Sequence, residues 1–203
     1  MNHFTSAFRK LVCIAALTLS STGFAMEVAG VKLDEIVHVA GQDLKLNGAG
    51  IRYKLIFQVY VIGLYLPERK SQVPDVIATP GARRLVIVPS RDISSEEFGR
   101  AFLAGINQNI DRAEKTKIIM QLMRFGEIFA SIPELKKGDV LTTDWVPGIG
   151  TIIHHNGKKV ADPLPDIAFY NALLKIWLGD KPADAKLKRA MLGERPEDQP
   201  RNY

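Results

Sequence analysis

Leu46-Asn-Gly-Ala-Gly-Ile-Arg-Tyr-Lys-Leu-Ile-Phe-Gln-Val-Tyr-Val-Ile-Gly-Leu-Tyr-Leu66 decides the fold. The stretch opens with Gly48 and Gly50, carries a cation at Arg52, and then runs apolar and aromatic as far as Pro67. Paired glycines permit backbone angles closed to other residues, so a tight turn is expected to lead into one long strand. Ile56, Phe57, Val59, Tyr60, Val61, Ile62 and Tyr65 all favour a pleated, partly buried surface. In strict alternation one face, from Leu55 to Tyr65, is apolar throughout, while the other, from Lys54 to Leu66, starts polar and turns apolar. That pattern suits a central strand whose later half is covered on both sides, with Gly63 expected at a bulge or bend.

Before this strand, Val28, Val31, Leu33, Ile36, Val37 and Val39 are spaced in short runs punctuated by Gly30 and Gly41, which predicts two or three short antiparallel strands. After it comes a Pro-rich connection with a helical turn near residues 74–78, and then a strand over 83–88. Ser94-Ser-Glu-Glu97 is a capping box that starts a helix whose Phe98, Phe102, Leu103 and Ile106 share a face. Asp111-Arg-Ala-Glu114 repeats the cap ahead of a second stripe, Ile118, Ile119, Leu122, Phe125 and Phe129. Two strands over 139–146 and 151–155 follow, then Asn156-Gly157, the pair a two-residue hairpin turn prefers. A helix over 166–178, ended by Gly179, and a last one to Leu192 close the domain. Strands, then two helices, a hairpin and helices again do not alternate as a parallel fold does. The class is α+β, an antiparallel sheet with helices packed on one face, an open-faced β-sandwich.

The first residues carry Arg9 and Lys10, an apolar run over 11–19 and small residues up to Ala25. This is the pattern of a secretory signal peptide cut after Ala25, so an exported, periplasmic protein is expected. Cleavage removes Cys13, the only cysteine, and leaves 178 of the 203 residues, enough for a single domain held by its core. Residues 26–193 form that domain, and 194–203 read as a loose polar tail. Loss of Arg9 and Lys10 lowers the net charge from +5 to +3, and no cationic block interleaved with aromatics marks a nucleic-acid surface. No later stretch of sequence is apolar enough for a membrane span.

The quoted stretch resembles the entry hairpin of the chalcone isomerase superfamily, with Gly48-Ala-Gly-Ile-Arg52 and Ile62-Gly-Leu-Tyr-Leu66 at its landmarks. Phe169-Tyr-Asn-Ala-Leu-Leu-Lys-Ile-Trp-Leu-Gly-Asp180 and Leu187-Lys-Arg-Ala-Met-Leu-Gly193 match near the C-terminus, and the chain looks closest to the bacterial chalcone isomerase-like proteins. The resemblance implies a ligand cleft with Arg52 inside it, and Tyr60 where the plant isomerases carry a threonine that polarises substrate. It also places Phe98, Gly105 and Ile176 where those enzymes carry a tyrosine, an asparagine and a threonine or serine. Without those polar groups the enone cannot be polarised nor the phenolate held through the same hydrogen bonds.

Arg52 offers a planar fork suited to a carboxylate or phenolate, or serves as a structural arginine paired with a carboxylate of its own chain. Tyr60 donates to a ligand oxygen or is a core tyrosine with a satisfied tip. Along one extended strand these two stand roughly 26 Å apart, so they share a site only if the chain bends or the ligand is long. The plant enzymes have a few more residues between these landmarks and fold them into a hairpin. Phe98, Phe102, Ile176 and Trp177 are the candidate walls. His154 and His155, neighbours on a strand, point to opposite faces and make a poor metal pair; no metal or cofactor is expected. Ser94 and Ser95 are caps and not nucleophiles, and Gly48-Ala-Gly50 is no phosphate loop. Apolar walls with one arginine describe a pocket for a small lipophilic anion. The expected function is noncatalytic binding of a lipophilic carboxylate such as a fatty acid, which resembles the fatty-acid-binding branch of the superfamily. The alternatives are an isomerase or lyase of chalcone isomerase type and an envelope interaction protein without a small-molecule ligand.

Overall fold

The computed structural model describes residues 25–194; of the expected signal peptide (1–25) all but Ala25, and of the expected tail (194–203) all but Glu194, lie outside the described residues. The chain starts with a small hairpin, β1 (Ala25–Val28) and β2 (Val31–Asp34). There follow β3 (Ile36–Val39), β4 (Gln42–Lys54), β5 (Phe57–Leu66), α1 (Val73–Ala78) and β6 (Arg83–Pro89). A two-residue strand β7 (Ile93–Ser94) leads into α2 (Ser95–Asn109), α3 (Arg112–Lys117), α4 (Ile119–Ala130) and β8 (Glu134–Leu135). The chain then forms β9 (Leu141–Val146), β10 (Gly150–His155), β11 (Lys158–Lys159), α5 (Ile167–Leu178) and α6 (Ala185–Met191). Seven strands make one antiparallel sheet in the order β11-β10-β9-β6-β5-β4-β3. The helices cover one face, and β1–β2 lies against part of the other through Leu33. This is the α+β architecture expected from the order of elements.

The quoted stretch is not one strand but two. It turns at Leu55 and Ile56, so β4 and β5 pair with each other and Arg52 stands directly opposite Tyr60. The continuous run of strand formers hid the turn because no glycine, asparagine or proline marks it; Leu55 itself takes the left-handed φ of +57°.

Gly48 and Gly50 form no turn either. Both lie inside β4, where α6 crosses so closely that a Cβ on Gly48 would come within 2.1 Å of the Ala190 carbonyl oxygen. Asn47, an extra residue in the ladder, fastens this contact: its Nδ2 donates to the Met191 carbonyl at 2.7 Å and its Oδ1 accepts from the Lys70 amide at 2.6 Å. The glycines serve close approach of a helix. Gly63 is no bulge: it pairs regularly with Ala49 and Val86, and the space above it is taken by Leu33 and Leu46. The second irregularity falls at Val59, which has no partner between the Tyr53–Gln58 and Arg52–Tyr60 pairs. That extra residue turns both Val59 and Tyr60 toward the helices, where strict alternation would have divided them.

α2 is capped as its sequence predicts, Ser94 accepting from the Glu97 amide, but the Glu97 carboxylate is held by Arg91 instead of reaching back. The stripe after Asp111 is broken at Ile118, whose bridge-region backbone (φ −111°, ψ 13°) separates the polar α3 from the apolar α4 and buries its own side chain. α5 is apolar nearly all round and has eight of its residues buried, so it is the central helix against which α1, α2 and α6 rest.

Candidate functional site

A cavity of about 600 Å³ lies between the helix-covered face of the sheet and the helices α2 and α5. Its floor comes from β5, β6 and β9, with Val59, Leu85, Ile87 and Leu141 contributing apolar side chains and Thr143 a hydroxyl. Phe98, Phe102 and Gly105 form the α2 wall, and Leu173, Ile176 and Trp177 the α5 wall. Behind the aromatic wall, Phe98 stacks on Phe129 with ring centres 4.4 Å apart, and Phe102 on Phe125 at 4.1 Å. These stacks fix the wall residues, which therefore keep the space open instead of collapsing into it. A loop after α5 closes one side with Pro182 and Ala183, tied to α2 by Asn109, which donates to the Lys181 carbonyl and accepts from the Lys181 amide.

All six residues singled out from the sequence, Arg52, Tyr60, Phe98, Phe102, Ile176 and Trp177, line this one cavity. The β4–β5 turn is what brings the first two together. Arg52 is a quarter exposed, and its Nη1 lies 3.7 Å from Asp184 Oδ2, a distance for loose charge attraction and not for a bidentate clamp. Asp184 is otherwise occupied: it caps α6 by accepting from the Lys186 and Leu187 amides at 2.9 and 3.1 Å, and it accepts from the Tyr53 amide at 3.4 Å. The Arg52 guanidinium makes no hydrogen bond within the described residues, so most of its fork is open to a ligand. Of the two roles foreseen for Arg52, the structural pairing is present only as this loose contact.

Tyr60 accepts a hydrogen bond from the Trp177 indole Nε1 at 2.9 Å. An accepting phenol still has its own proton to give, so the Tyr60 hydroxyl is oriented by Trp177 and remains a donor. Burial raises its pKa above the ordinary 10.0, an effect that the Trp177 hydrogen bond and the Arg52 charge only partly oppose. Arg52 and Tyr60 thus form a cation and a neutral donor side by side at the head of an apolar space.

The apolar positions facing this pair are mutually fitted. A Cβ on Gly105 would stand 2.7 Å from Ile176 Cγ2, so the bulk of Ile176 occupies the room that the missing side chain leaves. Gly105 and Ile176 are a packed pair, and neither carries a group able to polarise a substrate.

Sequence reasoning missed Lys54, Glu97 and Arg100, which give the cavity its charged edge, and Asp184, which stands beside Arg52. The signal for Asp184 was its position before α6, a capping site; its approach to Arg52 depends on the distant Gly48–α6 contact. His154 and His155 lie away from the cavity, His154 beside Thr142 and Asp144, His155 hydrogen-bonded to Asp139 at 2.7 Å. No group of metal-ligating side chains occurs among the described residues, and no described helix is long and apolar enough to cross a membrane.

A family model described as chalcone isomerase-like matches residues 25–193. No curated protein matches the sequence. Among solved structures, the crystal structure of a fatty-acid binding protein of Arabidopsis thaliana superposes with a TM-score of 0.64 at 13% identity, covering 80% of this chain and 92% of that one. At that identity the likeness concerns the fold.

Proposed function

This chain belongs to the chalcone isomerase-like family, and we propose that it is a noncatalytic binding protein for a lipophilic carboxylate such as a fatty acid, acting in the periplasm after export. The observation that carries the reading is the meeting of Arg52 and Tyr60 across the β4–β5 hairpin, beside a cavity whose floor and walls are largely apolar, with Val59, Leu85, Phe98, Phe102 and Ile176 among them. A carboxylate takes one or two N–H groups of the guanidinium and the Tyr60 proton, while its chain lies along Phe98, Phe102 and Leu173. A volume of about 600 Å³ lies in the range of sites that enclose small organic ligands, roughly 300–1,000 Å³. The apolar pair Gly105 and Ile176 supports binding without turnover, because neither position carries a polar group that could act on a substrate. The structural neighbour from Arabidopsis thaliana, a fatty-acid binding protein, supports a lipid ligand for this fold.

The test is native mass spectrometry of protein purified without detergent, followed by titration of delipidated protein with long-chain fatty acids. The expected result is a bound species of a few hundred daltons and saturable binding that is lost in Arg52→Ala. Absence of saturable binding in the wild type overturns the reading. Conversion of a chalcone above the spontaneous rate, abolished in Arg52→Ala, replaces it with an enzymatic one.

A further inference from the structure

The tip of the β4–β5 hairpin is unlike any other turn in the described chain. Leu55, Ile56 and Phe57 are 90%, 82% and 64% exposed, three large apolar side chains in succession on a two-residue turn. Hairpin turns normally carry glycine, asparagine or aspartate, and Asn156-Gly157 in this same protein obeys that rule. Leu55 instead holds φ at +57°, a conformation costly for a bulky residue, with no packing to repay it. An apolar side chain that neither stabilises its turn nor enters the core is placed for something outside the molecule.

Two further observations say what that is. The tip is continuous with the cavity: Lys54, the residue before the turn, and Arg52, two positions earlier, both line it. Lys54 has no ion pair among the described residues, and Arg100, paired with the exposed Glu96, stands on the same rim, where the acid Glu97 is itself held by Arg91, so that Arg52, Lys54 and Arg100 outnumber it. The apolar tip is therefore bordered by cations, as at surfaces that meet anionic headgroups. Its shape argues against a protein partner, since three side chains on a convex turn offer far less than the roughly 800 Å² per side of a standard interface.

We propose that this hairpin tip is a bilayer-docking wedge. Leu55, Ile56 and Phe57 enter the boundary between headgroups and acyl chains, Lys54 and Arg100 contact anionic headgroups, and the cavity opens toward the membrane. The docking stands on the tip itself; the further consequence, that ligand passes between bilayer and cavity with little exposure to water, rests on the lipid-carboxylate reading above.

Flotation with vesicles of phosphatidylethanolamine and phosphatidylglycerol tests it, against vesicles of phosphatidylcholine alone. The wild type is expected to float with the anionic vesicles, and the variant combining Leu55→Ser, Ile56→Ser and Phe57→Ser to partition roughly tenfold or more weakly. Ile56→Trp is expected to gain blue-shifted emission when anionic vesicles are added. In solution the triple variant should titrate with fatty acid as the wild type does, which also shows it folded, while its uptake from vesicles slows. A wild type that floats with neither vesicle overturns the proposal, as does a triple variant that floats equally well. A wild-type dimer that the triple variant dissociates assigns the tip to self-association and overturns it too. Flotation of a wild type that takes up no fatty acid leaves the docking intact and removes the reading of the cavity.

Discussion

Arg52 and Arg83 both stand on the helix-covered side of the sheet, yet their surroundings assign them opposite tasks. Arg83 is 1% exposed and has no ion pair with a carboxylate among the described residues. Its Nη1 donates to the carbonyls of Val76 and Ile77 and to Asn171 Oδ1, all at 3.2–3.3 Å, and its guanidinium lies 5.2 Å above the Tyr170 ring. Burial lowers its pKa from the usual arginine value, the mark of a charge held by dipoles and a ring face instead of an anion. Arg52 is partly exposed, has one loose carboxylate neighbour and points its remaining N–H groups into the cavity. The difference teaches that burial of an arginine does not make it a ligand residue. What matters is where its donors point: the Arg83 group is shut inside the packed interior, where even its Nε, unpartnered among the described residues, meets no open space, whereas Arg52 borders the cavity.

Breaking that comparison from the structural side should produce the largest effect. Arg83→Ala leaves three acceptors without their donor and opens a void beside Tyr170, which is expected to cost about 3 kcal/mol of stability. Chemical denaturation measures it, and fatty-acid affinity of the folded fraction should hold. A loss below about 1 kcal/mol would place Arg83 outside the framework. Gly48→Ala comes next, with an expected cost of about 2–3 kcal/mol, because the obstacle at 2.1 Å is the Ala190 carbonyl and not a flexible side chain. Since α6 begins at the Asp184 cap, a shift of the helix also moves the carboxylate beside Arg52, so this variant should change both stability and ligand affinity.

How much of this was legible in the sequence follows from how local each signal was. The α+β class, the caps at Ser94 and Asp111, the Asn156-Gly157 turn and the central helix rest on residues close together in the chain, and they are found where the pattern puts them. The turn at Leu55-Ile56 was hidden because its residues are strand formers retained against turn chemistry. The meaning of Gly48 and Gly50 was hidden because their partner, Ala190, lies far along the chain. The six residues proposed for the site share one cavity, but their convergence depends on that unmarked turn and on the extra residue at Val59, neither of which periodicity reveals. Asp184 illustrates the remainder: capping predicts where a carboxylate sits on its helix, not which arginine the helix carries it to.

From the other side of the comparison, Arg52→Ala should leave stability within about 0.5 kcal/mol, as expected for a partly exposed side chain with one long-range charge contact. Fatty-acid affinity should fall about 10- to 100-fold, the worth of a charge-assisted hydrogen bond in an apolar site. Asp184→Asn sharpens the point, because asparagine caps α6 nearly as well while removing the charge that competes for Arg52. Affinity for a carboxylate should rise a few-fold in that variant, measured by the same titration. A fall would mean that Asp184 orients Arg52 for the ligand instead of competing with it.

The smallest effect belongs to the neutral donor. Tyr60→Phe removes the hydrogen bond proposed to the ligand carboxylate and leaves the Trp177 indole without its acceptor, so a few-fold loss of affinity and about 1 kcal/mol of stability are expected. Alkaline pH isolates the contribution of burial. Because the folded protein holds the Tyr60 proton more tightly than the unfolded chain does, the unfolded state loses that proton first as pH rises. The stability tied to Tyr60 is therefore complete below the ordinary value of 10.0 and declines as pH climbs from there through the raised folded value. Tyr60→Phe should flatten part of that decline and leave the rest, since burial raises the phenols of Tyr65, to about 12, and of Tyr170 as well. An unchanged slope in denaturation measured from pH 9 upward, by about half a unit per step, would mean that Tyr60 is more open to water than its contact with Trp177 implies, and would weaken its standing as the site's neutral donor beside Arg52.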